Sequence, residues 1–141
     1  MNYTETMKKV MEQAGINDAD TVLVTGYSAG GFGAALLADD VFTNYFPDAK
    51  SKNVLVDASL LLNNNWHSIV TDVWQTPKEI SDKLVSNNLT LDCFASLHKK
   101  YGDDIHLLFD CSTRDGDLAK VQNYFDDENR WSGIIRFLEK F

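Results

Sequence analysis

The sequence predicts an α/β domain with a parallel sheet, because three short apolar strands alternate with segments of helical periodicity. The expected strands cover residues 21–25, 52–57 and 104–110. A helical segment separates each strand from the next, so we expect right-handed crossovers and parallel pairing. Parallel sheets are covered on both faces. The predicted architecture is therefore three layers, with the sheet between two layers of helices.

Apolar residues at helical spacing mark the segments before, between and after these strands. Gly15 and Gly102 are placed to end two helices, and Pro47 closes the helix that follows the first strand. Asparagines 63–65 precede another helix start, and residues 76–79 have the spacing of a capping box with proline at the first helical position. The expected helices cover residues 7–14, 30–46, 66–74, 91–101, 118–125 and 131–141, and a further helix begins at residue 77.

The turn after the first strand has an unusual composition. Four of the eight glycines of the chain fall in it, and the run Gly26-Tyr27-Ser28-Ala29-Gly30 places a serine between two glycines. An apolar strand directly before and a small-residue helix directly after are the context of a nucleophile elbow, in which a strained bend exposes a serine hydroxyl. We therefore expect Ser28 to be a nucleophile, the Ala29 N–H to be an oxyanion donor, and Gly26 and Gly30 to be the elbow glycines.

Residues 26–39 resemble a known family. The run Gly-Tyr-Ser-Ala-Gly-Gly-Phe-Gly, followed by Ala-Ala-Leu-Leu-Ala-Asp, is similar to the elbow of the pectin acetylesterase family, which also contains the Notum carboxylesterase. Tyr27 stands where the typical motif has cysteine. The resemblance implies a partial α/β-hydrolase fold and a serine carboxylesterase that hydrolyses an acetyl or other acyl ester on a carbohydrate such as pectin. It implies no metal or organic cofactor.

The acid of the catalytic triad usually follows the strand two places after the elbow strand, which is the third strand of this chain. Asp110, Asp115 and Asp117 compete for that role. The resemblance puts Asp115 first, because the Ser-Thr-Arg-Asp stretch that enters a helix is similar to the acid loop of the family. Asp57, at the end of the second strand, is expected to be a turn or pocket-floor residue.

The histidine of a triad should follow the acid in this fold, and none of the three histidines does. His67 lies where the fold often inserts a lid and is a remote candidate for the base, whereas His98 and His106 are expected to be structural or surface residues. The second oxyanion donor would come from an upstream loop. We therefore expect residues 1–141 to be one domain, a central part of a longer hydrolase domain, with weak esterase activity at most.

Composition narrows the classes of partner and compartment. A net charge of −8 over 141 residues argues against nucleic acid and anionic membranes as partners. No apolar run is long enough for a membrane span, and the N-terminus lacks the features of a signal peptide, which leaves the compartment open. Cys93 and Cys111 lack metal-ligand spacing and are expected to be core thiols, with a single disulfide between them as the alternative. Uncovered sheet edges predict self-association.

Two other functions are compatible with parts of the pattern. The glycines around residues 26–33 could cradle the pyrophosphate of a dinucleotide in an oxidoreductase, but Phe32 stands where the short-chain dehydrogenase pattern requires glycine. No tyrosine is followed by lysine four residues later, as those enzymes require. The second alternative is a non-catalytic interaction domain that keeps an esterase-like turn as scaffold.

Overall fold

The computed structural model describes residues 3–16 and 18–126. Its strands are β1 (Thr21–Tyr27), β2 (Ser51–Asp57) and β3 (Ile105–Asp110). They form one sheet in the order β1-β2-β3, and both neighbouring pairs are parallel. The predicted α/β fold with three parallel strands is therefore confirmed, and it is consistent with part of an α/β-hydrolase fold. β1 is longer than predicted, since it continues to Tyr27.

Six α-helices accompany the strands in the described residues. Two of them, Ala29–Asp40 and Trp66–Ser68, continue into five-residue π-helical turns, Val41–Tyr45 and Ile69–Val73 respectively. The helices are α1 (Tyr3–Ala14), α2 (Ala29–Asp40), α3 (Trp66–Ser68), α4 (Lys78–Ser81), α5 (Leu89–Tyr101) and α6 (Gly116–Asp126). The helix expected over residues 131–141 lies outside the described residues. No described helix has the length and apolar character that a membrane span requires.

The helix ends agree with the sequence in most places. Gly15 and Gly102 have φ values of 61° and 57°, which suit glycine at the end of a helix. The predicted capping box before α4 is wrong, because Pro77 is the N-cap residue and no side chain caps this single turn. Proline cannot occupy the first helical position here, since the helix starts one residue later, at Lys78.

The core lies between one face of the sheet and the helices α2 and α5. α2 packs on β1 and β2, α5 packs on β3, and the two helices pack against each other. Phe42, Leu89 and Leu97 are fully buried there. The apolar face of α5 lies on the core as its periodicity predicts, with the exception of Leu91, which is 60% exposed. The helix presents Leu89, Cys93 and Leu97 to its neighbours.

The opposite face of the sheet is open in the described part of the chain. The strand register places Leu23 beside Asn53, and Leu55 beside Leu108, on this face. Leu23 is 54% and Leu108 52% exposed. The described residues therefore supply the sheet and one of the two expected helical layers. β1 and β3 are the edges of the described sheet, and self-association through them stays a prediction.

Candidate active site

Ser28 lies at the sharp turn between β1 and α2. Its backbone has φ 53° and ψ −123°, a conformation that residues with a side chain rarely adopt and that costs about 1–3 kcal/mol. Its side chain makes no capping hydrogen bond to α2, although serine is a favoured N-cap residue. The chain thus makes the strained strand-to-helix bend that the sequence predicts, and the helix leaves the Ser28 hydroxyl unused.

Backbone hydrogen bonds hold this turn against the end of β2. The Ser28 N–H donates to the Asp57 carbonyl oxygen at 2.9 Å, which continues the parallel ladder past β1. The Ser28 carbonyl oxygen accepts bonds from the Gly31 N–H at 3.0 Å and the Phe32 N–H at 3.4 Å. It also accepts a bond from the Ser59 hydroxyl at 2.6 Å. Four hydrogen bonds therefore fix the Ser28 backbone.

Two glycines of the turn are required by close packing. A Cβ at Gly26 would overlap the carbonyl group of Gly30 and lie 2.7 Å from the Gly31 nitrogen. A Cβ at Gly31 would overlap the Ser59 hydroxyl. No atom lies within 4 Å of a Cβ added at Gly30, so packing among the described residues does not require this glycine. The close approaches are thus at Gly26 and Gly31, whereas the sequence pattern pointed to Gly26 and Gly30.

Ala29 is the first residue of α2 and is exposed. The N–H groups of the first helical turn have no partner within the helix, and the helix dipole makes this end positive. Ala29 also lines one end of a groove of about 840 Å³ that runs along α2. The other walls of the groove include Tyr3, Trp74 and Pro77. The Ala29 N–H therefore lies at an accessible, positively polarised helix end.

Asp115 is the N-cap residue of α6. Its Oδ1 accepts hydrogen bonds from the N–H groups of Asp117 at 3.0 Å and Leu118 at 2.8 Å. Its carbonyl oxygen accepts a bond from the Ala119 N–H at 3.0 Å. Asp117 is exposed, and its carboxylate pairs with Lys120 at 3.2 Å. The capping bonds fix the Asp115 side chain at the start of α6, and they use one of its two carboxylate oxygens.

Three carboxylates gather at the carboxyl edge of the sheet, where Ser28 also lies. Burial and the nearby charges of Asp115, Asp110 and Asp57 raise the pKa of the Cys111 thiol. The Asp110 carbonyl oxygen also accepts a hydrogen bond from the Ala58 N–H at 2.9 Å. Within residues 3–16 and 18–126, no group of three or more histidine, cysteine, aspartate or glutamate side chains is arranged to hold a metal ion. The sheet edge therefore combines a serine hydroxyl with acidic side chains.

Both cysteines are free. Cys93 lies in the core as predicted, and burial raises the pKa of its thiol to about 12. Cys111 is only partly buried and lies after β3, so the expectation of a core thiol is wrong for this residue. The reason is its position, because residues that follow a parallel strand lie in the loop at the sheet edge.

In the part of the chain that the structure describes, no histidine forms a hydrogen bond with Ser28. His98 and His106 are exposed, as expected of surface residues. The strand register places His106 level with Leu23 of β1. Ser28 lies five residues beyond Leu23, which is roughly 16 Å along the strand direction. His67 is exposed at the start of α3, next to Trp66. Its assignment as a remote candidate base stays untested.

Sequence reasoning missed Ser59. This residue is fully buried, and its hydroxyl donates to the carbonyl oxygens of Ser28 at 2.6 Å and Asp57 at 2.8 Å. The available signal was its position two residues after β2, because the carboxyl ends of neighbouring parallel strands share one edge. A small polar residue at this position is therefore a candidate partner for the elbow.

Comparison with known proteins identifies the family. The pectinacetylesterase family model matches residues 2–102, which include β1, the Ser28 turn, β2 and α5. Asp115 lies beyond the matched residues. Comparisons with curated proteins and with solved structures found no match. Because the family match covers well over half of the 141 residues, the chain belongs to the pectinacetylesterase family, a family of carboxylesterases.

Proposed function

We propose that Ser28 is the nucleophile of a serine carboxylesterase that hydrolyses an acetyl, or another acyl, ester on a carbohydrate. The observation that carries this proposal is the strained Ser28 backbone, with φ 53° and a side chain that does not cap α2. Strain of this kind persists where the surrounding structure holds it, and it is common at reactive residues. Membership in a carboxylesterase family supports the same chemistry.

The proposed reaction has two steps. The Ser28 hydroxyl attacks the ester carbonyl carbon and loses its proton to a histidine, while the Ala29 N–H donates to the developing oxyanion. The carbohydrate hydroxyl leaves with that proton, and the acyl group stays on Ser28. Water then attacks the acyl-serine, which releases the carboxylic acid and restores the Ser28 hydroxyl.

Asp115 is our candidate for the acid that orients this histidine. Its fixed rotamer at the start of α6 supports the assignment, as does its position among the carboxylates at the sheet edge. We expect the histidine to be none of the three in this chain, because all three precede the acid in the sequence, whereas the histidine of this fold follows it. The 141-residue chain alone is therefore expected to hydrolyse esters weakly at most.

Ser28→Ala is expected to abolish labelling by a fluorophosphonate probe, because the probe forms its covalent bond with an activated serine oxygen. The measurement uses the full-length product of the gene that encodes this chain, with mass spectrometry of the labelled peptide. We expect the adduct on the peptide that contains Ser28. Ser112→Ala removes an exposed serine after β3 and should leave labelling unchanged.

Absence of labelling in the unmodified protein, or persistence in Ser28→Ala, would show that the turn is only architecture. The non-catalytic interaction domain would then be the better description. Robust hydrolysis of an aryl acetate by the 141-residue chain alone, lost in Ser28→Ala, would instead keep Ser28 as nucleophile and show that the base lies within the chain.

Asp115→Asn is expected to lower kcat of the full-length product by about 10³- to 10⁴-fold, as loss of the orienting carboxylate does in other serine hydrolases. Asparagine is as good an N-cap residue as aspartate, so α6 should stay intact and the free energy of unfolding should change little. Aryl acetate hydrolysis measures the effect, with Asp110→Asn and Asp117→Asn as comparisons. A larger loss in either comparison would assign the acid to that residue instead.

A further inference from the structure

We infer that Ser59 is a positioning residue, whose hydroxyl fixes the peptide group between Ser28 and Ala29 so that the Ala29 N–H faces the oxyanion. This inference rests on the proposed function, in which the Ala29 N–H is the oxyanion donor. It adds Ser59, which lies two residues after β2, to the turn. The sequence pattern defines that turn by residues 26–30 alone.

The contacts of Ser59 span two elements. Its hydroxyl lies 2.6 Å from the Ser28 carbonyl oxygen and 2.8 Å from the Asp57 carbonyl oxygen. A serine hydroxyl has one proton, so the two carbonyl groups share a single donor. The Asp57 carbonyl oxygen also accepts the bond from the Ser28 N–H. Ser59 therefore links the end of β2 to the Ser28 carbonyl directly, and to the Ser28 N–H through the Asp57 carbonyl.

The direction of the Ala29 N–H follows from peptide geometry. The carbonyl of Ser28 and the N–H of Ala29 belong to one planar peptide group, and in a trans peptide the two bonds point in opposite directions. The Ser28 carbonyl points toward Ser59, which is fully buried. The Ala29 N–H consequently points away from the interior, and rotation of this peptide would break the bond from Ser59.

The same bond strengthens the donor. A carbonyl oxygen that accepts a hydrogen bond polarises its peptide group, which makes the N–H of that group a better donor. The Ser28 carbonyl accepts the Ser59 hydroxyl in addition to the amides of Gly31 and Phe32. Ser59 thus acts on the oxyanion through the Ala29 amide and does not itself touch the reacting atoms.

Ser59 is held in place from three sides. The Thr90 hydroxyl, which is also buried, donates to the Ser59 carbonyl oxygen at 2.7 Å and anchors it to the first turn of α5. The preceding residue, Ala58, donates its N–H to the Asp110 carbonyl oxygen. Gly31 packs so closely on the Ser59 hydroxyl that a side chain there would overlap it. A positioning group works only if it is itself fixed, and Ser59 meets this condition.

NMR of the 141-residue chain tests the inference without any activity. In Ser59→Ala we expect changes in the carbonyl ¹³C shift of Ser28 and the amide ¹⁵N shift of Ala29 that exceed those at other residues of α2. The variant should fold, because the Ser28 carbonyl keeps the amides of Gly31 and Phe32 as donors. Ser81→Ala is the matched control, since Ser81 is equally buried and also donates to a backbone carbonyl. Equal shifts in both variants would overturn the inference.

The kinetics of the Ser59→Ala variant of the full-length product, compared with the unmodified product, give the second readout. Loss of an oxyanion donor costs about 10²- to 10³-fold in kcat, so loss of its positioning residue should cost less, about 10-fold to 100-fold, with KM unchanged. An unchanged kcat, or a loss expressed only in KM, would overturn the role of Ser59. A full-length product that is inactive and unlabelled refutes the proposed nucleophile, whereas the NMR result depends only on the Ser28–Ala29 peptide.

Discussion

Gly26→Ala is expected to lower the free energy of unfolding substantially. Overpacking usually costs about 1–3 kcal/mol, and we expect the loss here to be larger. The added Cβ would overlap the carbonyl group of Gly30 and lie 2.7 Å from the Gly31 nitrogen. These are backbone atoms of the first turn of α2, so they cannot move aside as a side chain would. The turn between β1 and α2 would have to open. Urea unfolding followed by circular dichroism measures the loss.

Gly30→Ala and Gly33→Ala are matched controls for this substitution. Both residues lie in α2, and outside the adjacent helix backbone no atom of the described residues lies within 4 Å of a Cβ added at either. Alanine replaces glycine favourably within a helix, so each control should gain about 0.5–1 kcal/mol in free energy of unfolding. A Gly26→Ala variant as stable as these controls would show that the turn is not packed as described.

The strands could be predicted from the sequence because each is a short apolar run between turn signals. The full extent of the buried face of α5 could not, since Leu91 is as apolar as Leu89 and lies on the same helix, yet only Leu89 is buried. Only the packing of α5 against its neighbours decides which side chains at the margin of that face are buried. Periodicity predicts that a helix exists, and tertiary contacts determine which of its side chains are buried.

The candidate site shows the same division. The Gly-x-Ser-x-Gly pattern located the turn and Ser28, because a strained strand-to-helix bend is a local structure with local requirements. It did not identify Gly31, whose lack of a side chain matters only because Ser59 lies against it. It did not identify Ser59 either, since that contact depends on the β1–β2 register. The choice of Asp115 among the acids stays a prediction, because no contact between it and Ser28 is described.

Gly31→Ala is the second substitution with a large expected effect, a loss of at least about 2 kcal/mol in free energy of unfolding. The added Cβ would overlap the Ser59 hydroxyl and lie 2.9 Å from the Ser59 Cβ and 3.0 Å from the Gly26 carbonyl oxygen. Most of this conflict is with one side chain. Removing that side chain in Ser59→Gly should therefore relieve much of the strain.

A double-mutant cycle of Gly31→Ala and Ser59→Gly measures this coupling by urea unfolding of the four proteins. We expect the double variant to be more stable than the sum of the single effects by about 1–2 kcal/mol, within the range found for residues in contact. The cycle of Gly33→Ala with Ser59→Gly should be additive, because Ser59 is not among the described neighbours of a Cβ at Gly33. Additivity in both cycles would contradict the packing of Ser59 on α2. If the coupling is found, the double variant restores packing without the hydroxyl, so any remaining change at the Ala29 amide reports the lost hydrogen bond alone.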